Sequence, residues 1–211
     1  MNRINLKAFQ FGITGAAFFV ITAILAGFQF ENYSHYSQLI SESYAIDSPY
    51  GIYFRLLGFL PSGIFIFLFS IQAANIFQSL KKVKLGFMLF GIFYGLATVV
   101  VSIFPCDAGC NKELIDPSIS QLIHNSTGLL TYLIVPVSIL LIGAELKREK
   151  KYNYLSKLSL SFGILSFCLV ITFFGAMSSP SIGLIQRLTE GTILIWMLLI
   201  AFETKKINTS N

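Results

Sequence analysis

Charge is what this sequence has least of. Only 12% of its 211 residues are Asp, Glu, Lys or Arg, while 55% are hydrophobic and the mean hydropathy is +0.72. A chain this apolar does not supply the solvated surface of an ordinary soluble domain. Histidine is scarce too, with His35 and His124 alone. Haem held by paired histidines would need both on spans at similar depth, whereas His35 lies in a polar stretch with Asn32, Tyr33 and Ser34. No cofactor is expected. Neither a Gly-x-Ser-x-Gly elbow nor a His-Glu-x-x-His motif occurs, which removes two common signatures of hydrolytic enzymes. No long polar stretch leaves room for a separate soluble domain, so residues 1–211 read as a single transmembrane domain.

What remains is one hydrophobic run after another. A spanning helix needs ~20 mostly apolar residues, because its backbone must satisfy its own hydrogen bonds across a hydrocarbon core about 30 Å thick. Six segments qualify: Ala8 to Phe30, Tyr53 to Phe77, Leu85 to Phe104, Gln121 to Ala144, Leu158 to Met177 and Leu184 to Phe202. The expected fold is all-α, an integral membrane bundle of six transmembrane helices. Arg3 and Lys7 before the first run also suit a secretory leader. The run is as long as a full span, however, and Ile24 stands where a cleavage site ending at Ala26 would need a small residue. It is read as a retained span. Pro61 and Pro136, inside spans two and four, are expected to bend them. Gly91 and Gly95 form a small-xxx-small pair that admits a close helix neighbour.

Orientation follows from the connections. Arg3, Lys7, Lys81, Lys82, Lys84, Lys147, Arg148, Lys150, Lys151, Lys157, Lys205 and Lys206 make 12 of the 15 basic residues, all flanking one side of the spans. The positive-inside rule makes that side, and both termini, cytoplasmic. The other side holds Glu31, Glu42, Asp47, Asp107, Glu113 and Asp116, with Lys112 its single base. The formal net charge of +5 is therefore a topology signal, and no nucleic-acid partner is implied. The expected partners are membrane lipids, with a lipid or small molecule reaching the protein from the outer side.

Chemistry-bearing residues gather at that outer side. Cys106 and Cys110 lie just beyond span three, where a disulfide, two free thiols or a metal site are all open readings. Zinc would need further ligands, and no metal set is assigned. Gln121, His124 and Asn125 share one face of span four at i, i+3, i+4, followed by Thr127 and Thr131. Gln186, Arg187 and Glu190 open span six, and Arg55 lies near the outer end of span two. Ionisable groups at membrane depth usually face a protein interior or a water-filled cavity. Arg187 and Glu190 can meet at i, i+3, either as an internal ion pair or as parts of a pocket. In the functional reading Asp107, His124, Arg187 and Glu190 border one cavity. Arg55 or Arg187 would bind an anionic group there, and His124 would move protons with Asp107 orienting it.

The run Tyr33-Ser-His-Tyr-Ser with Ser41-Glu-Ser-Tyr-Ala after the first span, Phe104-Pro-Cys-Asp closing the third, His124 with Thr127-Gly-Leu-Leu, and Gly183-Leu-Ile-Gln-Arg-Leu together resemble the bacterial membrane family catalogued as domain of unknown function 998 (DUF998). The resemblance extends over nearly the whole chain and implies six helices in a bacterial plasma membrane. It also implies that His35, Asp107, His124, Gln186 and Arg187 fill the family's characteristic polar positions. It implies no activity. Three classes of function stay open: binding or modification of a lipid or small amphiphile in an outward-facing pocket, small-solute transport, and a structural or assembly role. Transport needs polar groups near the midplane and access from both sides. Gln72 and Asn75, near the inner end of span two, supply no continuous polar path.

Overall fold

The computed structural model describes residues 3–207 and, among them, contains helices and loops without a strand. Six helices are long and apolar enough to cross a membrane: α1 Arg3–Gln29, α2 Gly51–Ile76, α3 Lys81–Ile103, α4 Ile119–Leu146, α5 Lys150–Gly175 and α6 Ile182–Thr204. Most begin earlier than hydropathy alone indicates, α5 by eight residues relative to Leu158. Hydropathy marks the part that loses water. The backbone ladder continues past it wherever side chains such as Lys81, Lys82 and Lys151 can hold their charge in the aqueous interface.

Each helix packs beside its neighbours in sequence, and α6 closes the ring against α1 and also touches α2. Asn5 of α1 donates to the carbonyls of Thr204 and Ile207, so the start of α1 and the end of α6 meet at one end of the bundle, here the terminal end. The opposite, distal end carries the two long connections, 30–50 and 104–118. Small residues set the helix spacing. A Cβ added at Gly95 would stand 2.7 Å from the Phe67 backbone nitrogen, so α2 and α3 can touch only because that side chain is missing. α1 is fully part of this packing, with Gly12 against Ala201 and Phe69 and Gly15 against Ile66.

Two helices widen on the way to the distal end. Arg55–Phe59 in α2 and Gly91–Leu96 in α3 are π-helical, a turn type that occurs most often at functional sites. Pro61 follows the first of them and has no N–H for the Leu57 carbonyl, so the regular ladder is already interrupted there. α4, by contrast, runs unbroken through the buried Pro136, giving up only the bond to the Tyr132 carbonyl. At the terminal end the ring is filled by Phe69, Phe77, Phe87, Phe90, Ile139, Ile142 and Trp196, all essentially inaccessible.

Candidate functional site

The distal loops form a cap tied together by backbone and charge. Ile46 N–H donates to the Cys106 carbonyl at 3.0 Å, Gly109 N–H donates to Asp47, and Lys112 pairs with Glu42 at 2.7 Å. A disulfide joins Cys106 to Cys110, whose Cα atoms are 4.8 Å apart. Gln121, at the first turn of α4, is buried and fully engaged: its carbonyl accepts from Asp107 N–H at 2.7 Å, and its amide donates to the Cys110 carbonyl and to Asn125. Asp107 accepts from the backbone and the hydroxyl of Ser118, the residue that caps α4. Those donors hold the Asp107 carboxyl below its ordinary range, the Ser118 hydroxyl foremost.

Arg187 fastens the first loop onto α6. One terminal nitrogen donates to the carbonyls of His35, Gln38 and Gly183 at 2.8, 2.7 and 3.0 Å, and the other donates to the Tyr33 hydroxyl at 2.8 Å. Burial raises the Tyr33 pKa against the opposing pull of this guanidinium. Burial and then the Arg187 charge hold His35 below its ordinary value.

Beneath the cap lies a cavity of about 100 Å³. Its lining comes from five spans and one loop: Phe19 of α1, Phe59 of α2, Tyr94 and Thr98 of α3, His124, Gly128, Thr131 and Tyr132 of α4, Gln186 and Glu190 of α6, and Ile40, Ser41 and Tyr44 between α1 and α2. Both π-helical stretches deliver an aromatic ring here, Phe59 from one and Tyr94 from the other. Glu190 is the hub. Tyr94 donates to one carboxylate oxygen and Tyr132 to the other, each at 2.8 Å, and the Gln186 oxygen, one turn above, accepts from Ile40 N–H. A carboxylate at this depth is tolerable because both oxygens are hydrogen-bonded. Tyr44 packs on Phe59 with centroids 4.7 Å apart, and burial pushes its hydroxyl far above the ordinary phenol value. Behind the lining, Phe90 packs 5.3 Å from the Tyr94 ring and 5.0 Å from Trp196. The lining stops short of Pro136.

A second, apolar space of about 520 Å³ lies between α1 and α6. Val20, Ala23 and Ile24 form one wall, Gly191 and Leu194 the other, with His35 and Arg187 also on its border. Phe19, Ile40 and Glu190 border this groove and the cavity alike.

Several sequence expectations change in this geometry. Arg187 and Glu190 do not form an ion pair: three loop and helix carbonyls and a phenol compete successfully for the guanidinium, and two tyrosines take the carboxylate. Asp107, His124, Arg187 and Glu190 do not share one cavity either, since only His124 and Glu190 line it. Asp107 does not orient His124, whose Nδ1 instead bonds the Phe104 carbonyl at 3.0 Å. Arg55 turns back to the Gly51 carbonyl and Asn125 is exposed. Gln121 and Asp107 build the cap, His35 and Arg187 border the groove, and Gln186 lines the cavity. Tyr94, Tyr132 and Thr98 carry no expectation from the sequence, and Ser41 and Tyr44 stand only in a run that carries the family resemblance. A tyrosine inside an apolar run counts as hydrophobic, and only Glu190, which must find donors when buried, hinted that some tyrosines would converge. Among the described residues no cluster of three or more His, Cys, Asp or Glu is placed to hold a metal ion.

The chain matches no curated protein and no solved structure. The family model described as Protein of unknown function (DUF998) matches residues 13–203, from within α1 to the last turn of α6, and the chain belongs to that family.

Proposed function

We propose that this multi-pass membrane protein binds a membrane lipid or small amphiphile, with the polar end in the distal cavity and the hydrocarbon chain in the groove between α1 and α6. One observation carries the reading: Glu190, a buried carboxylate, borders both spaces, so a single molecule can satisfy a polar hub and an apolar slot together. Groove residues such as Val20 and Ile24 are well exposed where they would face hydrocarbon, as a side opening to lipid requires. The positive-inside count supports an outward-facing cavity, and the family resemblance supports a bacterial plasma membrane. Binding is favoured over transport because the lining stops short of Pro136, and Phe90 and Trp196 behind it are packed together and inaccessible. It is favoured over hydrolysis because His124 has no carboxylate partner.

Two glycines make the proposal testable without disturbing packing. Added Cβ atoms at Gly128, in the cavity wall, and at Gly191, in the groove wall, would meet nothing within 4 Å. Native mass spectrometry of the protein released from its own membrane should show a retained amphiphile. Gly128→Leu and Gly191→Phe should each abolish that retention while leaving the melting temperature unchanged or higher. Equal retention by wild type and both variants would refute the site.

A further inference from the structure

Resting on the cavity-and-groove reading, we infer that the polar end of the ligand is an alkylammonium group. The direction of the hydrogen bonds in the cavity wall carries this. Tyr94 and Tyr132 commit their hydroxyl protons to Glu190, Thr98 donates to the Tyr94 carbonyl at 2.7 Å, and Thr131 donates to the Thr127 carbonyl at 2.9 Å. The Gln186 oxygen accepts from Ile40 N–H at 2.7 Å. A carbonyl can only accept, so His124 Nδ1 carries a proton towards Phe104, and the other nitrogen of the neutral ring is an acceptor. These protons all point into the protein. Around the Glu190 hub they leave lone pairs, the second pair on each carboxylate oxygen, for a guest that brings donors.

Charge and shape agree. Glu190 is the one formally charged residue in the lining, because Arg187 is held by four oxygens elsewhere and Arg55 lies outside. An anionic group would meet a carboxylate with no cationic side chain in the lining to offset it. A cation would meet the carboxylate and the faces or edges of Phe19, Tyr44, Phe59 and Tyr94, an aromatic surround of the kind that holds ammonium groups. A cavity of about 100 Å³ takes a head of a few heavy atoms. The groove then receives the chain. The ammonium can belong to a free long-chain amine or to the amino headgroup of an aminophospholipid.

The test compares heads on one chain. Trp196 is the single tryptophan, and its ring lies 5.0 Å from Phe90, which packs on Tyr94 of the lining, so its fluorescence reports occupancy. The purified full chain in nonionic detergent is titrated with dodecylammonium, dodecanol and dodecanoate, with Gly191→Phe as the background for nonspecific partitioning. Dodecylammonium should bind ~10-fold more tightly than dodecanol, with dodecanoate weakest, and Glu190→Gln should shrink the ammonium advantage to ~3-fold or less. Should that variant fail to fold, the ranking on the wild-type chain decides alone. Dodecanol or dodecanoate binding as tightly as the ammonium would overturn the ammonium assignment and leave amphiphile binding standing. Absence of binding by all three above the Gly191→Phe background would overturn both. A short-chain phosphatidylethanolamine arm separates the sources: competition with dodecylammonium supports a lipid amine, and lack of competition supports a free one.

Discussion

Arg187 and Glu190 are one helical turn apart on α6 and serve two different regions. Arg187 belongs to the cap, where polar side chains bind backbone: His35, Gln38 and Gly183 carbonyls for Arg187, Asp107 N–H and the Cys110 carbonyl for Gln121, and Ser118 N–H for Asp107. Glu190 belongs to the cavity, where side chains bind one another around open space. The difference separates architecture from a site. A group saturated by main-chain partners fixes a loop and has nothing left for a ligand, whereas a hub with free lone pairs beside empty volume can take one.

The largest effect that would sharpen this contrast is Arg187→Ala. Removing it strands two loop carbonyls and a phenol, and should lower stability by about 3 kcal/mol while leaving the Glu190 network in place. Thermal melting in detergent reads it, and an unchanged melting temperature would show that the clamp is unimportant. Opening the Cys106–Cys110 bridge by Cys106→Ser should come next, at about 2 kcal/mol for so short a loop, with ligand binding retained. Tyr132→Phe should cost about 1 to 2 kcal/mol and, unlike the cap variants, weaken binding as well. If it weakens only stability, the cavity is merely another structural network.

The smallest expected effect is that of pH. Burial and the Arg187 charge hold the His35 pKa below that of a free histidine, so its contribution to stability is complete above the free value and is lost as the pH falls through the lowered one. Melting temperature should therefore drop modestly on acidification from about pH 7 to pH 5. His35→Gln should flatten that part of the profile. A rise in stability over the same interval would contradict the sign.

The six spans were legible because hydrophobic length is a physical requirement of crossing a bilayer, and it survives any arrangement of the helices. The sequence also singled out Glu190, since a carboxylate inside an apolar run demands compensation. Its partners were not legible. Helical spacing put Arg187 within reach of Glu190, but spacing does not count the loop carbonyls that residues 33–38 bring to the same guanidinium. Asp107 and His124 seemed natural partners because both lie at the ends of neighbouring spans. The cap turns Asp107 towards Ser118 instead, and Phe104 offers His124 a nearer acceptor. Tyr94 and Tyr132 escaped notice because their rings satisfy the hydropathy pattern while their hydroxyls do the chemistry.

The most direct measurement is an experimental structure of the protein extracted with its native lipids. The account predicts density for a polar group within hydrogen-bond reach of Glu190, continuous with an unbranched chain lying along Ala23, Gly191 and Leu194. A cavity holding water alone, with no ordered chain between α1 and α6, would contradict it.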